Sequence, residues 1–490
     1  MLKLRIYSAI FLGSLLQVAC TSTADVASLS GAEGGSANVG GSANVGGSAN
    51  VGGDSSATGG QGGTAQGGSS LGGVSATAIE VVRSTLSPIT TPDIGDAEYA
   101  SFISDSNAFG LELQQQLVAT QALAEQNGVF SPVSAQLALA MTYGGAVGDT
   151  AAGMKTALHD NLGGVKYHAA CNRLLRDLGS RNLTNVDAAG NVRHIELTPA
   201  NSLWVDRTVA VKTPFLDLLS QQYDSGMRRV DFINEPNLSR LAINGWVMDN
   251  THQKIHDLLL EPDIDEATRF VLVNALYFYG SWAKPFAKTA TQPGTFHALA
   301  GTDVQASMMH GGGNWNYKST SSATVVQIPY VANNPSVSGN LTMTVILPNA
   351  GQFEATRAQV SGAWLSTMTE GLTATSFVNL TLPKFKIETP QLQLAEGLKN
   401  MGMASAFEGA ADFTGMTDLT SLYIANVLQK AFIGVDEDGT EAAAATAVIM
   451  DTISLPGSIV PVVLDRPFLF FIQDPTGLVL FSGQVVDPTK

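Results

Sequence analysis

The chain has 490 residues and a formal net charge of −16, although only 14% of its residues are charged. An acidic balance of this size argues against nucleic acids and anionic membrane surfaces as partners, because both require a basic patch on the protein. The two cysteines, Cys20 and Cys171, are too few for a disulfide scaffold.

The first twenty residues have the layout of an export signal. Lys3 and Arg5 precede an apolar stretch, residues 6–18, that is too short to cross a bilayer as a helix. The segment resembles a bacterial lipoprotein signal, which is cleaved before a cysteine, here Cys20, whose thiol is then acylated. An ordinary secretory signal is the alternative. Both predict that the protein leaves the cytoplasm. The lipoprotein signal predicts loss of residues 1–19 and a location in the cell envelope as an outer-membrane lipoprotein, and the secretory signal predicts the extracellular space.

A Gly- and Ser-rich segment follows, in which the hexapeptide GGSANV occurs three times between Gly34 and Val51. This composition offers too little apolar area to offset the entropy lost on ordering. We therefore predict a flexible tether over residues 20–97 and a globular domain over residues 98–490. The G-x-S-x-G match at Gly68–Gly72 lacks the flanking strand and helix that a hydrolase motif needs.

The first half of the domain shows helical periodicity over residues 99–125, 167–178 and 243–259, and a Ser-Pro helix start at Ser131. The second of these helices contains Cys171, which is expected to be a buried small hydrophobe. In the third, His252 and His256 have the i, i+4 spacing that can chelate zinc. No third ligand is evident, so a structural role is favoured and no metal is predicted.

The second half of the domain is dominated by apolar runs typical of buried strands. They lie at residues 270–278, 324–329, 342–347, 378–382, 431–435 and 467–472. The link between the last two runs contains residues 437–454 and is too long for an ordinary connection.

This link has an unusual composition. It has no proline between Gly439 and Leu455, and small apolar residues dominate it. At a period of two, the face that begins with Thr440 carries no charge, which suits a latent strand. Alanine also favours a helix, and the β-branched residues that follow oppose a long one. Periodicity alone favours a helix or an exposed loop over the latent strand.

Two motifs here resemble those of the serpin family. Residues 437–445 are similar to the proximal hinge of inhibitory serpins, and residues 465–488 are similar to the family's C-terminal signature. Further similarity, at residues 127–134 and 270–286, extends the resemblance from about Glu98 to Pro488. It implies a single α+β domain with the serpin fold, which has three β-sheets, eight or nine helices and an exposed reactive-centre loop.

The resemblance also implies a function. The protein is expected to be an irreversible suicide inhibitor of serine proteases, and inhibition of cysteine proteases is the less expected alternative. The protease cleaves the loop and forms an acyl-enzyme, and the loop then inserts into the central sheet as a strand. Because the target protease supplies the chemistry, the protein is not expected to be an enzyme or to need a cofactor. A monomer that meets the membrane only through a lipid anchor is expected.

The resemblance assigns roles to individual residues of the loop. The hinge comprises Glu437, Gly439, Thr440, Glu441, Ala442, Ala443, Ala444 and Ala445. Counting from Glu437 puts the reactive bond at Ile453–Ser454, with Met450–Asp451 as the alternative. Isoleucine before the bond suggests an elastase-like or subtilisin-like target.

Beneath the loop, the resemblance implies two clusters that control the opening of the sheet, called the breach and the shutter. Asn274 falls on the position of the shutter and Trp282 on that of the breach, and the full set of residues is Ser131, Ser134, Asn274, Trp282, Lys384 and Gln429. Lys384 is expected to pair with Glu437. Gln429 stands where most serpins have a histidine, so hydrogen bonding can persist but pH-dependent gating at this position cannot.

Two other classes of function remain as alternatives. A non-inhibitory serpin would act as a carrier or chaperone, and charged or bulky hinge residues would have favoured it. A hydrolase would rest only on the Gly68–Gly72 match and the His252/His256 pair.

Overall fold

A computed structural model of the chain describes residues 2–8, 79–120, 123–186, 190, 192–331, 339–374, 376–420, 422–440 and 458–490. The side chains of residues 2–8 are not described. The predictions for Glu441 to Ala445, for both candidate reactive bonds and for Cys20 lie outside these ranges.

The described residues contain nine α-helices. They are α1 (Asp96–Ala119), α2 (Pro132–Tyr143), α3 (Gly148–Ala157), α4 (Gly164–Ser180), α5 (Thr213–Tyr223), α6 (Pro236–Asp249), α7 (Phe353–Arg357), α8 (Gly362–Thr369) and α9 (Ala395–Leu398). None of the helices in the described ranges is both long and apolar enough to cross a membrane.

The helix predicted to run to Leu259 is wrong at its C-terminal end, because α6 stops at Asp249. His252 and Gln253 adopt φ values of 44° and 60°, which a right-handed helix does not allow. His252 and His256 therefore do not share a helix face. No cluster of potential metal ligands occurs among the described residues.

The strands, twenty-one in the described part of the chain, are β1 (Leu2–Ser8), β2 (Glu80–Val82), β3 (Gly128–Phe130), β4 (Leu183–Val186), β5 (Val192–Asp206), β6 (Met227–Val230), β7 (Thr268–Ser281), β8 (Gln292–His297), β9 (Asp303–Gly313), β10 (Asn316–Ser319), β11 (Ala323–Pro329), β12 (Thr342–Pro348), β13 (Phe377–Pro383), β14 (Phe385–Glu388), β15 (Leu392–Gln393), β16 (Leu422–Gln429), β17 (Phe432–Val435), β18 (Gly439–Thr440), β19 (Ile459–Val463), β20 (Phe468–Gln473) and β21 (Val479–Val485).

These strands form three sheets, which confirms the predicted α+β architecture. A central sheet has eleven strands, a second has the order β10-β11-β12-β20-β21-β3, and a third has the order β19-β13-β9-β8. Helix α2 packs between β7 of the central sheet and β21 of the second sheet. It is apolar and buried nearly all round because it faces sheet on both sides.

The central sheet has an interstrand slot beside β7. One edge of β7 pairs antiparallel with β5, from Phe270 opposite Val205 to Gly280 opposite Ile195. Its other edge faces the slot, which β16 and β17 close from the far side. The upper end of the slot holds β18, antiparallel to β7, and the lower end holds β1, parallel to both β7 and β16.

Described elements of the domain lie before the predicted boundary at residue 98. Strand β2 pairs with the edge strand β6, and Ile89 N donates to Gln221 O at 2.9 Å. Arg83 forms an ion pair with Asp224 of the turn after α5. This segment is held by backbone hydrogen bonds and polar contacts rather than by an apolar face, so composition did not distinguish it from the tether.

Candidate functional site

The hinge that leads into the predicted reactive loop is a tight turn between β17 and β18. Val435 is the register partner of Thr440, and Asp436 N donates to Gly439 O at 3.0 Å. Asp436 Oδ1 accepts hydrogen bonds from Asp438 N at 2.9 Å and from Gly439 N at 3.4 Å. Aspartate at the first position and glycine at the fourth are favoured in such turns. The chain is therefore already folded back into a hairpin here.

The second arm of this hairpin lies within the central sheet. Gly439 is opposite Ser281, and Thr440 is opposite Gly280. A Cβ atom at Gly439 would lie 2.1 Å from Gly280 O, so only glycine fits. Thr440 is 1% exposed, and its hydroxyl is 2.7 Å from the hydroxyl of Tyr330. Thr440, one of the predicted hinge residues, is thus buried in the central sheet.

Trp282, predicted to lie at the breach, attaches the hairpin to the end of β7. Its indole Nε1 donates to Asp436 O at 2.9 Å, and its backbone N donates to Asp438 O at 3.0 Å. Its ring is stacked on Tyr330 with centroids 4.7 Å apart. Phe286 N donates to Glu437 O at 2.8 Å. All three carbonyls of residues 436–438 therefore have partners.

The carboxylate of Glu437 has the predicted partner. Lys384 Nζ lies 2.8 Å from Glu437 Oε2, and Thr291 Oγ1 donates to Oε1 at 2.7 Å. Burial alone would raise the pKa of Glu437, but the hydrogen bonds from Lys384 and Thr291 outweigh it and the pKa is lowered. The carboxylate is consequently ionised at neutral pH.

The two neighbouring carboxylates, Asp436 and Asp438, have other partners than Glu437 has. Burial raises the pKa of Asp436, against the backbone hydrogen bonds from Asp438 and Gly439. Asp438 pairs with Lys288, whose Nζ lies 2.7 Å from Asp438 Oδ2, and this hydrogen bond raises the pKa of Lys288. Sequence reasoning missed Thr291, Lys288 and Tyr330, because nothing local in the sequence connects them with the hinge.

Gln429, one of the predicted shutter and breach residues, is fully buried at the end of β16, level with Asn274 of the predicted shutter. Its Oε1 accepts from Ser131 N at 3.1 Å, and its Nε2 donates to Ser131 O at 3.1 Å. The hydroxyl of Ser131 donates to Leu480 O at 2.9 Å and accepts from Ser134 N at 3.4 Å. One neutral side chain thus joins the central sheet to the start of α2.

Asn274 is the remaining predicted shutter residue. In the backbone it is opposite Asn201 of β5 on one side and Ser8 of β1 on the other. Its side chain lies outside the described part, so no role for it is tested.

Cys171, on α4, lies apart from both clusters. It is fully buried, and burial raises the pKa of its thiol. A buried thiol that stays protonated is unreactive, which agrees with the structural role expected for it.

The sequence of this chain is similar to a known protein family and to a relative of known name. A family model described as Serpin (serine protease inhibitor) matches residues 104–488. Plasminogen activator inhibitor 1 of Sus scrofa is 33% identical over 387 residues, covering 78% of this chain and 91% of the relative.

Two solved structures are similar to the whole domain. The native thermophilic serpin tengpin has a TM-score of 0.70 at 26% identity, covering 83% of this chain and all of tengpin. Human thyroxine-binding globulin complexed with thyroxine has a TM-score of 0.68 at 28% identity, covering 80% of this chain and all of the globulin.

Proposed function

Because the chain belongs to the serpin family, we propose that it is an irreversible suicide inhibitor of serine proteases. The observation that carries the proposal is the start of insertion at Gly439 and Thr440. These residues already form a strand antiparallel to β7, at the upper end of a slot in the central sheet. Continuing that strand requires no new turn and no change of register.

The length of β7 supports Ile453–Ser454 as the proposed reactive bond. In the register that pairs Thr440 with Gly280, Ala442 would lie opposite Phe278 and Thr452 opposite Thr268, the first residue of β7. A loop cleaved after Ile453 would thus fill the slot along the whole of β7. Cleavage after Met450 would leave the lowest part unfilled, which favours Ile453–Ser454.

The proposed mechanism combines cleavage with strand addition. The catalytic serine of the protease attacks the carbonyl of Ile453 and forms an acyl-enzyme. Freed at Ser454, the loop continues β18 down the slot and carries the bound protease with it. If the move displaces one oxyanion-hole donor, deacylation slows by about 10²–10³-fold. Small, uncharged residues on the Thr440 face favour entry.

The lower end of the slot is occupied by β1, which belongs to the predicted export signal. In the full chain, Leu2–Ser8 pairs with both β7 and β16, in the space the loop would need. We propose that the leader, residues 1–19, is removed on export and that the slot becomes free at that step. Cys20 would then carry a lipid anchor, with the protein at the outer membrane or outside the cell as a monomer.

The test is a denaturing gel after the exported protein is mixed with an elastase and with a subtilisin. A band at the summed mass that survives boiling in detergent, with peptide mapping that places the break after Ile453, supports the proposal. Cleavage without such a band, and without a rise in the unfolding temperature of the cleaved protein, contradicts it.

A second candidate, a non-inhibitory carrier, is favoured by the similarity to thyroxine-binding globulin. A cavity of about 390 Å³ lies between residues 125–127, 298–300, 386–390 and the C-terminus. Its size falls in the range of small-molecule sites. The carrier would be the better description if the loop is cleaved without trapping and if thyroxine, the ligand in the similar structure, raises the unfolding temperature.

A further inference from the structure

Three consecutive carboxylates stand where the chain turns from β17 into β18. Asp436, Glu437 and Asp438 would repel one another at this point, since like charges at close range raise the energy of the folded state. Asp436 is satisfied by backbone N–H groups of the turn and Glu437 by Lys384 and Thr291. Asp438 depends on Lys288.

Lys288 reaches the hinge from a short 3-10 turn, Lys288–Ala290, that follows the exit of β7. Its Nζ lies 2.7 Å from Asp438 Oδ2, and the side chains are 36% and 13% exposed, respectively. A pair in which one partner is mostly buried loses less of its attraction to solvent and salt than a fully exposed pair.

The position of this pair distinguishes it from an ordinary surface ion pair. Asp438 is the third residue of the turn, and its carbonyl already accepts from Trp282 N. Lys288 therefore fixes the side chain of a residue whose backbone is tied to β7. The two contacts together hold the turn against the top of the slot, so that Gly439 and Thr440 stay in register with β7.

We propose that Lys288 is a positioning residue for loop insertion, and this inference rests on the inhibitory function proposed above. Its pairing with Asp438 keeps the hairpin formed before cleavage, so the cleaved loop propagates a strand instead of nucleating one. If the turn had to form after cleavage, insertion would be slower, and water would have more time to hydrolyse the acyl-enzyme. Lys288 would thus determine which fraction of the inhibitor molecules traps a protease and which fraction is cleaved and released as an ordinary substrate.

The test compares three variants of the exported protein with the wild type. Lys288→Gln removes the charge, and Lys288→Arg keeps it. Lys284→Gln is the matched control, because Lys284 lies four residues away with its Nζ 5.6 Å from the ring centre of Phe377 and not at a hinge carboxylate. The readouts are hydrogen exchange of a peptide spanning the hinge, the rate of loop cleavage, and the number of inhibitor molecules consumed per protease trapped.

We expect Lys288→Gln to speed exchange at Gly439 and Thr440 and to raise the inhibitor consumed by about 3–10-fold, with the cleavage rate unchanged. Lys288→Arg and Lys284→Gln should behave as wild type. A double-variant cycle with Asp438→Asn should show that the two single effects are not additive.

The inference is overturned if Lys288→Gln leaves hinge exchange unchanged, or if it matches Lys284→Gln in every readout. A wild type that is cleaved without trapping would remove the inhibitory function itself. In that case the exchange measurement still decides whether Lys288 holds the hairpin.

Discussion

The upper end and the middle of the slot beside β7 are held by different kinds of contact. At the upper end, the breach, ion pairs from Lys384 and Lys288 hold Glu437 and Asp438. At the middle, the shutter, the fully buried neutral amide of Gln429 binds the backbone N–H and the carbonyl of Ser131. The breach contacts involve charges near solvent, whereas the shutter contacts involve none.

This difference predicts different sensitivities. Ion pairs weaken when a carboxylate is protonated or when salt screens the charges. A buried amide that donates and accepts is indifferent to both, but its loss leaves a buried polar group without a partner. Solution conditions should therefore act on the breach, and only mutation should act on the shutter.

The largest effect is expected from Thr440→Arg at the breach. Thr440 is 1% exposed and hydrogen-bonded to Tyr330, so an arginine there would be a buried charge without a partner. The hinge should leave the sheet, and trapping should fall by more than about 100-fold while cleavage continues. Thr440→Ser, which keeps the hydroxyl, is the control. A covalent complex formed at the wild-type yield by Thr440→Arg would contradict this account of the hinge.

The second largest effect, a loss of stability, is expected from Gln429→Leu at the shutter. The variant leaves Ser131 N–H buried and unpaired, whereas Ser131 O keeps a bond from Ala135 N. The free energy of unfolding should fall by about 1–3 kcal/mol, equally at pH 5 and pH 8. Gln359→Leu, at an exposed helix end, should change it by less than about 0.5 kcal/mol. Denaturant unfolding measures both, and a pH-dependent loss at Gln429 would be inconsistent with a neutral shutter.

A smaller effect, dependent on pH, is expected from Glu437→Gln. The pKa of Glu437 is lowered in the folded protein, so its stabilisation is present above the unfolded value of about 4.3 and is lost as the pH falls through the folded pKa. At pH 7 the variant should be about 1 kcal/mol less stable, after allowance for the solvent exposure of Lys384. The gap between variant and wild type should close below pH 4. Glu396→Gln, which removes an exposed ion pair with Lys399, should have almost the same free energy of unfolding as the wild type at both pH values.

The smallest effect is expected from salt. Raising sodium chloride from 0.05 M to 1 M shortens the screening length several-fold, and the breach pairs should lose less than about 1 kcal/mol. Hydrogen exchange at Gly439 and Thr440 should quicken in the wild type and quicken less in Lys288→Gln, which keeps only the Lys384–Glu437 pair for salt to screen. Exchange at Ser131 N–H should not quicken. Equal acceleration of exchange at the breach and at the shutter would remove the distinction between the two sites.

Several features of the fold followed from local sequence. The strands around Phe270, Val345 and Phe470 could be located because buried strands require unbroken apolar runs. The end of α6 and the start of the domain at β2 were misplaced. The first depends on two residues with positive φ, and the second on backbone pairing with β6; neither leaves a compositional signature.

Some residues of the candidate site were likewise expected from the sequence, and others were found only in the structure. The residues of the hinge, and the pairing of Glu437 with Lys384, were expected from the motif because they belong to a recurrent pattern. Lys288, Thr291 and Tyr330 were not, since their positions beside the hinge arise only when β7 and its exit pack against β17.

By itself, then, the sequence determined the kind of fold, the position of the hinge around Gly439, and the uncharged face that begins with Thr440. These depend on short-range steric and hydrophobic preferences. Only the tertiary structure decided that Thr440 is already buried in the central sheet, that Lys288 holds the upper end of the slot and that Gln429 lies at its middle. Those contacts join residues far apart in the chain, and their partners are selected by strand register and burial rather than by neighbours in sequence.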